Sequence, residues 1–562
     1  MKFSEMPYQR PALDELRELG ANILERIENA ADAQAVIDAY LEYDKCMVEV
    51  ATMGSLSYVR YTIDTRDEFY SAENDFYDEN MPALQEISQK IDLAMLASKF
   101  RAELEERFGK LLFTNMEIST RTMKSEIMEL MMEENKLQSE YQKLYASAAV
   151  EWEGETIPLP KLGPFKQSTD RAVRKAAYET EGKWFDAHQA ELDELYDKLV
   201  KNRTAQAKAM GHENYIALGY DRLGRNCYGP KEVAAFRDQI AKDMVPLVAA
   251  IKENRRQRLG LDKLKFYDDV LAFVDGNAVP QGSADDILAA GRKMYEELSA
   301  ETAEFAADLF DNELLDVLSK EGKAPGGYCT SLASYKVPFI FSNFNGTSAD
   351  VDVLTHEAGH AFAFYRSMRK DYVSALQGPT IEACEVHSMS MEFLTAPWHD
   401  KFFGDATRKY EIDHCEDALI FIPYGCMVDE FQHFCYENPD VTPAERNAKW
   451  LELEKKYRPW IDFENLPFYG RGAGWQRQLH IYTSPLYYID YCMAQTVAFQ
   501  FWIASMNDRA DAWARYLRFC DAGGTMTFAQ LVETAGLKVP YAEGVIGEIG
   551  EAISRWIAAN PL

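Results

Sequence analysis

The chain has 562 residues, 91 of them acidic against 60 basic, and its net charge of -31 excludes nucleic acid and anionic membrane surfaces as partners by repulsion. At 47% hydrophobic and 12% aromatic it has ample material for a large core. No later stretch approaches the roughly 20 apolar residues that cross a bilayer, and Met1 to Tyr8 has no basic run followed by an apolar one.

Helical periodicity dominates in chain order. Leu13 to Ala30 and Ala33 to Met53 read as amphipathic helices, and so does 117–146, where Met128, Leu130, Met131 and Met132 are expected in the core. Trp152 to Leu159 reads as a short hairpin with an acidic turn. Ser168-Thr169-Asp170 caps a helical tract that runs toward Leu261 with breaks at Gly211 and Gly219, and another capped helix leads from Ser283 to Leu318. Gly327 to Thr347 is the only substantial β region. Its Phe339, Phe341 and Phe344 are expected to pack, and its free edge to pair with an extended peptide main chain. Nine cysteines are scattered without a Cys-x-x-Cys pair, which reads as reduced thiols and a cytoplasmic protein.

His356 and His360 follow in Thr355-His356-Glu357-Ala358-Gly359-His360-Ala361, inside a segment from Val351 to Phe364 that is flanked by apolar residues and free of proline. On a helix, positions i and i+4 share a face, so both imidazoles can hold one Zn²⁺ while Glu357 lies beside the attacking water. A hydrolytic zinc site needs a third protein ligand. The helical stretch after Gly378-Pro379 offers Glu382, Glu385 and Glu392 on nearly one face. Asp352, one turn before His356, is either an acceptor that orients an imidazole or an acid favoured by the helix N-terminus.

Further on, Gly470-Arg471-Gly472-Ala473-Gly474 lacks the flanking pattern of a phosphate cradle and reads as a mobile segment that closes over peptide. It leads into Leu479-His480-Ile481-Tyr482-Thr483-Ser484-Pro485-Leu486-Tyr487-Tyr488-Ile489-Asp490-Tyr491, where Tyr488 and Tyr491 share a helical face.

With these motifs the sequence resembles the oligoendopeptidase F group, including the Pz-peptidases, within the thimet-oligopeptidase-like zinc metallopeptidases. The likeness runs from about Ser168 to Leu537 and is weaker before that. In that family the third ligand is the Glu of an E-x-x-S segment about 25 residues after the second histidine, which here implies Glu385 with Ser388. The resemblance also implies that His480, Tyr488 and Tyr491 hydrogen-bond the oxygen that gains charge in the reaction, with Tyr487 or Tyr482 as alternatives to Tyr488.

The expected fold is mainly α: a large two-lobed helical zincin with a small β-sheet beside the motif helix and a deep substrate channel. With no linker dividing the chain, an N-terminal helical region over 1–190 and a catalytic region over 191–562 are expected to form one continuous body. The implied activity is endopeptidase cleavage of short unstructured oligopeptides with one Zn²⁺ per chain, Glu357 taking the proton of the attacking water. A zinc carboxypeptidase of similar fold is the nearer rival, and a non-catalytic peptide-binding protein the more distant one.

Overall fold

The computed structural model describes residues 1–324 and 326–561. Its contacts group into two compact units that interleave along the chain. The first comprises Met1–Thr120, Val279–Thr407 and Val497–Val539; the second, Arg121–Ala278, Arg408–Thr496 and Pro540–Leu562. Helices dominate both, and among the described residues none is long and apolar enough to cross a membrane.

The first unit opens with the helices Leu13–Glu28, Ala33–Ile63 and Glu68–Ala97, which pack on one another. The second continues well past Met53. Asp32 caps it by accepting the Ala35 N–H at 2.9 Å, and Asp67 caps the third by accepting the N–H groups of Phe69 and Tyr70. Ile23, Val36, Tyr40, Ile91 and Phe113 fill the space between them.

Five strands are described. β1 (Ala149–Trp152) and β2 (Glu155–Pro158) form the expected hairpin, turning at Glu153 and Gly154, both with positive φ as a tight hairpin turn requires. β3 (Leu315–Leu318), β4 (Tyr328–Leu332) and β5 (Val337–Phe344) form a sheet of order β3-β5-β4, with β3 parallel and β4 antiparallel to β5. The strand leading to the motif helix is therefore central and paired on both sides, so the free edges belong to β3 and β4. Phe339, Phe341 and Phe344 are buried in it, as expected.

The single helix expected from Ser283 to Leu318 is two helices and a strand. The Ser299 hydroxyl accepts the Thr302 N–H and starts a new helix, Ala300–Asp311, after Ala284–Leu298 has ended, and the chain turns at Glu313 into β3.

In the second unit Asp170 caps Arg171–Ala187, as the sequence suggests. The helix Met128–Ala146 buries Glu134, Leu137 and Tyr141, a face that leaves Met128, Leu130 and Met131 only half-buried and Met132 out in solvent, rather than in the core as expected. Glu134 is held there by the buried Arg203, Nε to Oε1 2.6 Å, since a buried carboxylate persists only when paired. Gly219 does not break its helix but lies inside Tyr215–Arg222. There a Cβ would come 2.8 Å from the Leu486 side chain.

Candidate metal centre

The motif helix spans Ala349–Ser367 and packs against β5 and against the helices Ile381–Leu394 and Arg509–Asp521. Asp350 fixes its start by accepting the N–H groups of Asn345 at 2.9 Å and Gly346 at 2.7 Å. The rings of His356 and His360 lie one turn apart, centroids 5.1 Å, nearly perpendicular.

Gly359, between them in sequence, sets how closely the next helix approaches. A Cβ there would stand 2.6 Å from the His387 carbonyl oxygen and 2.6 Å from Ser388 Cα, so the two backbones touch where only glycine fits. The Tyr516 hydroxyl donates to the same His387 carbonyl at 2.8 Å. This close crossing delivers Glu385, whose Oε2 lies 3.5 Å from His356 Nε2 and 3.6 Å from His360 Nε2. One atom from each of the three residues falls within 4.8 Å of the others. The Ser388 hydroxyl donates to Glu385 Oε2 at 3.2 Å and holds the carboxylate in place.

The three carboxylates that share a helical face in sequence separate into three environments. Glu385 meets the imidazoles. Glu392 Oε1 lies 2.7 Å from His356 Nδ1, behind the ring, and Glu382 accepts from the Thr380 hydroxyl at 2.8 Å in the first turn. A carboxylate on Nδ1 fixes the ring so that Nε2 faces Glu385, the arrangement that orients a metal-binding imidazole. The residue missed from sequence is thus Glu392 as the backing group, and the missing signal is the ring's direction, which periodicity does not carry.

Burial raises the Glu357 carboxyl above its usual value despite the two nearby histidines. Burial also works against the charged form of Glu385, but the hydrogen bonds and charges of His356 and His360 outweigh it and hold the group well below the ordinary carboxylate range. Burial pushes His387 down to about 3, so it stays neutral, edge-on to Phe519 at 5.2 Å. Two imidazole nitrogens and one carboxylate oxygen, with a hydrogen-bonded second carboxylate behind one ring, fit the donor set of a three-ligand metal site that keeps a position for water.

In the second unit His480 sits on the short helix Leu479–Thr483, while Tyr488 lies one residue before the helix Ile489–Asn507 and Tyr491 in its first turn. Ring centroids are 5.1 Å for His480 and Tyr488, 5.9 Å for His480 and Tyr491, and 5.7 Å for Tyr488 and Tyr491. Tyr487 also borders His480, at 5.8 Å. Tyr482 does not: it is fully buried, stacked on Tyr141 at 3.9 Å, with its hydroxyl on the Leu192 carbonyl. Burial holds the Tyr488 phenol well above its usual value, so it keeps its proton as a donor.

The glycine loop is packed rather than free. A Cβ at Gly472, whose φ is +81°, would lie 2.4 Å from the Asn447 carbonyl oxygen, Arg471 pairs with Asp186 at 2.7 Å, and the buried Trp475 donates to Asn447 at 2.9 Å. Its glycines serve close approach.

Residues 3–123 match the model of the peptidase M3 N-terminal domain, and 164–551 match that of peptidase family M3. The oligoendopeptidase F homolog of Mycoplasma pneumoniae is 22% identical over 451 residues, 73% of this chain and 69% of that protein. The chromosomal oligoendopeptidase F of Lactococcus lactis subsp. cremoris is 24% identical over 69% of this chain and 64% of its own length. Among solved structures, Pz peptidase A with inhibitor 2 superposes with a TM-score of 0.94 at 46% identity over 99% of both chains. Oligoendopeptidase-F from Enterococcus faecium, at TM-score 0.60 and 17% identity over 96% of this chain and 98% of its own, shares the fold.

Proposed function

The chain belongs to peptidase family M3, and from that premise we propose that it is a zinc-dependent endopeptidase cutting internal bonds of short, unstructured oligopeptides. The observation that carries the zinc reading is the convergence of His356 Nε2, His360 Nε2 and Glu385 Oε2 on one point. Bound by these three, zinc supplies Lewis-acid polarisation of a peptide carbonyl and acidification of water.

The chain's own residues do the rest. Glu357, buried and with a raised carboxyl value, takes the proton of the water whose oxygen attacks the carbonyl carbon. It then gives that proton to the amide nitrogen as the C–N bond breaks, leaving an acid and an amine. Glu392 keeps the His356 ring in the ligating orientation. His480, Tyr488 and Tyr491 are assigned as donors to the carbonyl oxygen as charge develops, a role that acts on kcat more than on KM.

The test joins metal analysis with product mapping by mass spectrometry on a mixed-length peptide library. About one zinc per chain is expected, with internal fragments as products. Glu357→Gln should keep the metal and lose about 10² to 10⁴-fold in kcat, and Tyr488→Phe and His480→Phe about 10²-fold each. Release of single C-terminal residues only would replace the endopeptidase reading by a carboxypeptidase, and full turnover in metal-replete Glu357→Gln would remove the general base.

A further inference from the structure

His480 and the tyrosines are joined by the turn Ser484 to Tyr488, and its centre is unusual. Leu486 is fully buried yet has φ +66°, the left-handed region that costs an L side chain steric strain. Such a conformation lasts only where its surroundings over-determine it. Here both backbone polar groups of Leu486 are taken by buried side chains from other segments. Its N–H donates to Gln432 Oε1 at 2.9 Å, and its carbonyl accepts from Arg225 Nη2 at 2.6 Å.

The same Arg225 Nη2 also donates to Asp490 Oδ1 at 2.7 Å, and the Tyr228 hydroxyl donates to that oxygen at 3.2 Å. Asp490 lies in the first turn of the tyrosine helix, between Tyr488 and Tyr491. The Leu486 side chain is received over Gly219, where any Cβ would collide with it. One guanidinium thus grips the turn and the helix it leads into, while one amide grips the other side of the same residue.

We infer that Arg225 and Gln432 are positioning residues for the reaction: by holding Leu486 left-handed they fix where Tyr488 and Tyr491 stand relative to His480. The inference rests on the assignment of those three side chains to the reaction. Without the clamp the turn relaxes toward ordinary φ, and because a turn sets the direction of the following helix, both tyrosines swing away from the imidazole.

The experiment uses the full-length, metal-loaded enzyme and the single variants Arg225→Met, Arg225→Lys, Gln432→Met, Tyr488→Phe and Tyr491→Phe, with Arg225→Met and Gln432→Met each also combined with Tyr488→Phe. Arg225→Met and Gln432→Met are expected to lower kcat about 10- to 100-fold with KM within about threefold and zinc content unchanged. Each double variant should be no slower than its slower parent, because both changes break one arrangement. Amide exchange at 486–490 should speed up at least tenfold in both clamp variants. Arg225→Lys, which restores one charged donor, should recover part of kcat.

If losses in the double variants multiply, or if kcat is normal in a folded clamp variant while Tyr488→Phe is impaired, the positioning role is overturned and the tyrosine assignment stands. If Tyr488→Phe and Tyr491→Phe are both silent, the tyrosine assignment itself fails. Should Arg225→Met not fold, the milder Gln432→Met decides, with unchanged exchange at 486–490 counting against the clamp.

Discussion

Gly359 is the residue on which the candidate metal centre turns, although it bears no functional group. With the His387 oxygen and Ser388 Cα both 2.6 Å from where its Cβ would stand, Gly359→Ala must push two helix backbones apart, since neither contact is a flexible side-chain end. We expect a loss of about 1 to 3 kcal/mol of stability and weaker metal binding, as Glu385 moves with its helix away from His356 and His360. Thermal melts with a competitive metal titration check this, and unchanged values in both would show that the crossing is softer than its geometry. Glu392→Ala should leave the fold intact and weaken metal affinity about 10- to 100-fold, with Glu392→Gln falling between, because the ring of His356 loses its Nδ1 acceptor. Equal affinity in wild type and Glu392→Ala would discount that support. At this scale the sequence was legible where chemistry is local. His356, Glu357 and His360 follow from a four-residue spacing on one helix, whereas choosing Glu385 over Glu382 and Glu392 needed the family spacing. The demand on Gly359 comes from a second backbone that no local pattern records.

Between elements, packing overrode periodicity in ways a window of sequence does not hold. Apolar spacing continues through Ser299, yet its hydroxyl caps a new helix, and Leu315–Leu318 becomes a strand because β5 offers it a parallel edge. Gly219 looks like a breaker and is instead a seat for Leu486, and the loop from Gly470 to Gly474 uses its glycines against Asn447 and Leu466 rather than for mobility. Helix pairs in the second unit also carry buried charge that sequence does not pair. Asp413, on the helix Thr407–Glu437, lies 3.0 Å from Arg255 Nη2, on Val245–Arg258, and Arg255 also binds Glu416 and Asp417, while Arg258 binds Glu416 at 2.9 Å. Three carboxylates share two guanidinium groups, and burial, then the charge of Asp417, pushes Asp413 up to about 7. Its folded value exceeds its unfolded one, so folding binds a proton; this contribution is full below the unfolded value near 4 and is lost as pH rises through about 7. Asp413→Asn, neutral at every pH, should therefore gain in Tm relative to wild type between pH 5 and pH 8.5. A difference in Tm that stays constant over that range would mean Asp413 is ionised throughout.

At the scale of the whole molecule the chain alternates between its two units in three segments each, and the crossing at 496 falls within the continuous helix Ile489–Asn507, while that at 407 coincides with the start of Thr407–Glu437. A helix interior has the same composition on either side of such a crossing, which is why no linker marks it, while the helix-rich class and the strand before the motif helix could be read from periodicity. His356, Glu357, His360, Glu385 and Glu392 all belong to the first unit, and His480, Tyr488 and Tyr491 to the second. A ligand stabilises the cooperative unit that binds it, by about 4 kcal/mol at a thousand times its dissociation constant, and segments opening independently do not feel it. Removing the metal with a chelator should accordingly abolish activity and raise amide exchange at least tenfold in Ala349–Ser367 and Ile381–Leu394. Helices of the second unit such as Gln189–Ala209 and Pro443–Tyr457 should change by less than about twofold. Hydrogen exchange read by mass spectrometry on apo and zinc-loaded protein makes the comparison. Equal deprotection in both units would mean that they open as one cooperative body, and unchanged exchange in the two metal-site helices would show that the metal contributes chemistry without contributing stability.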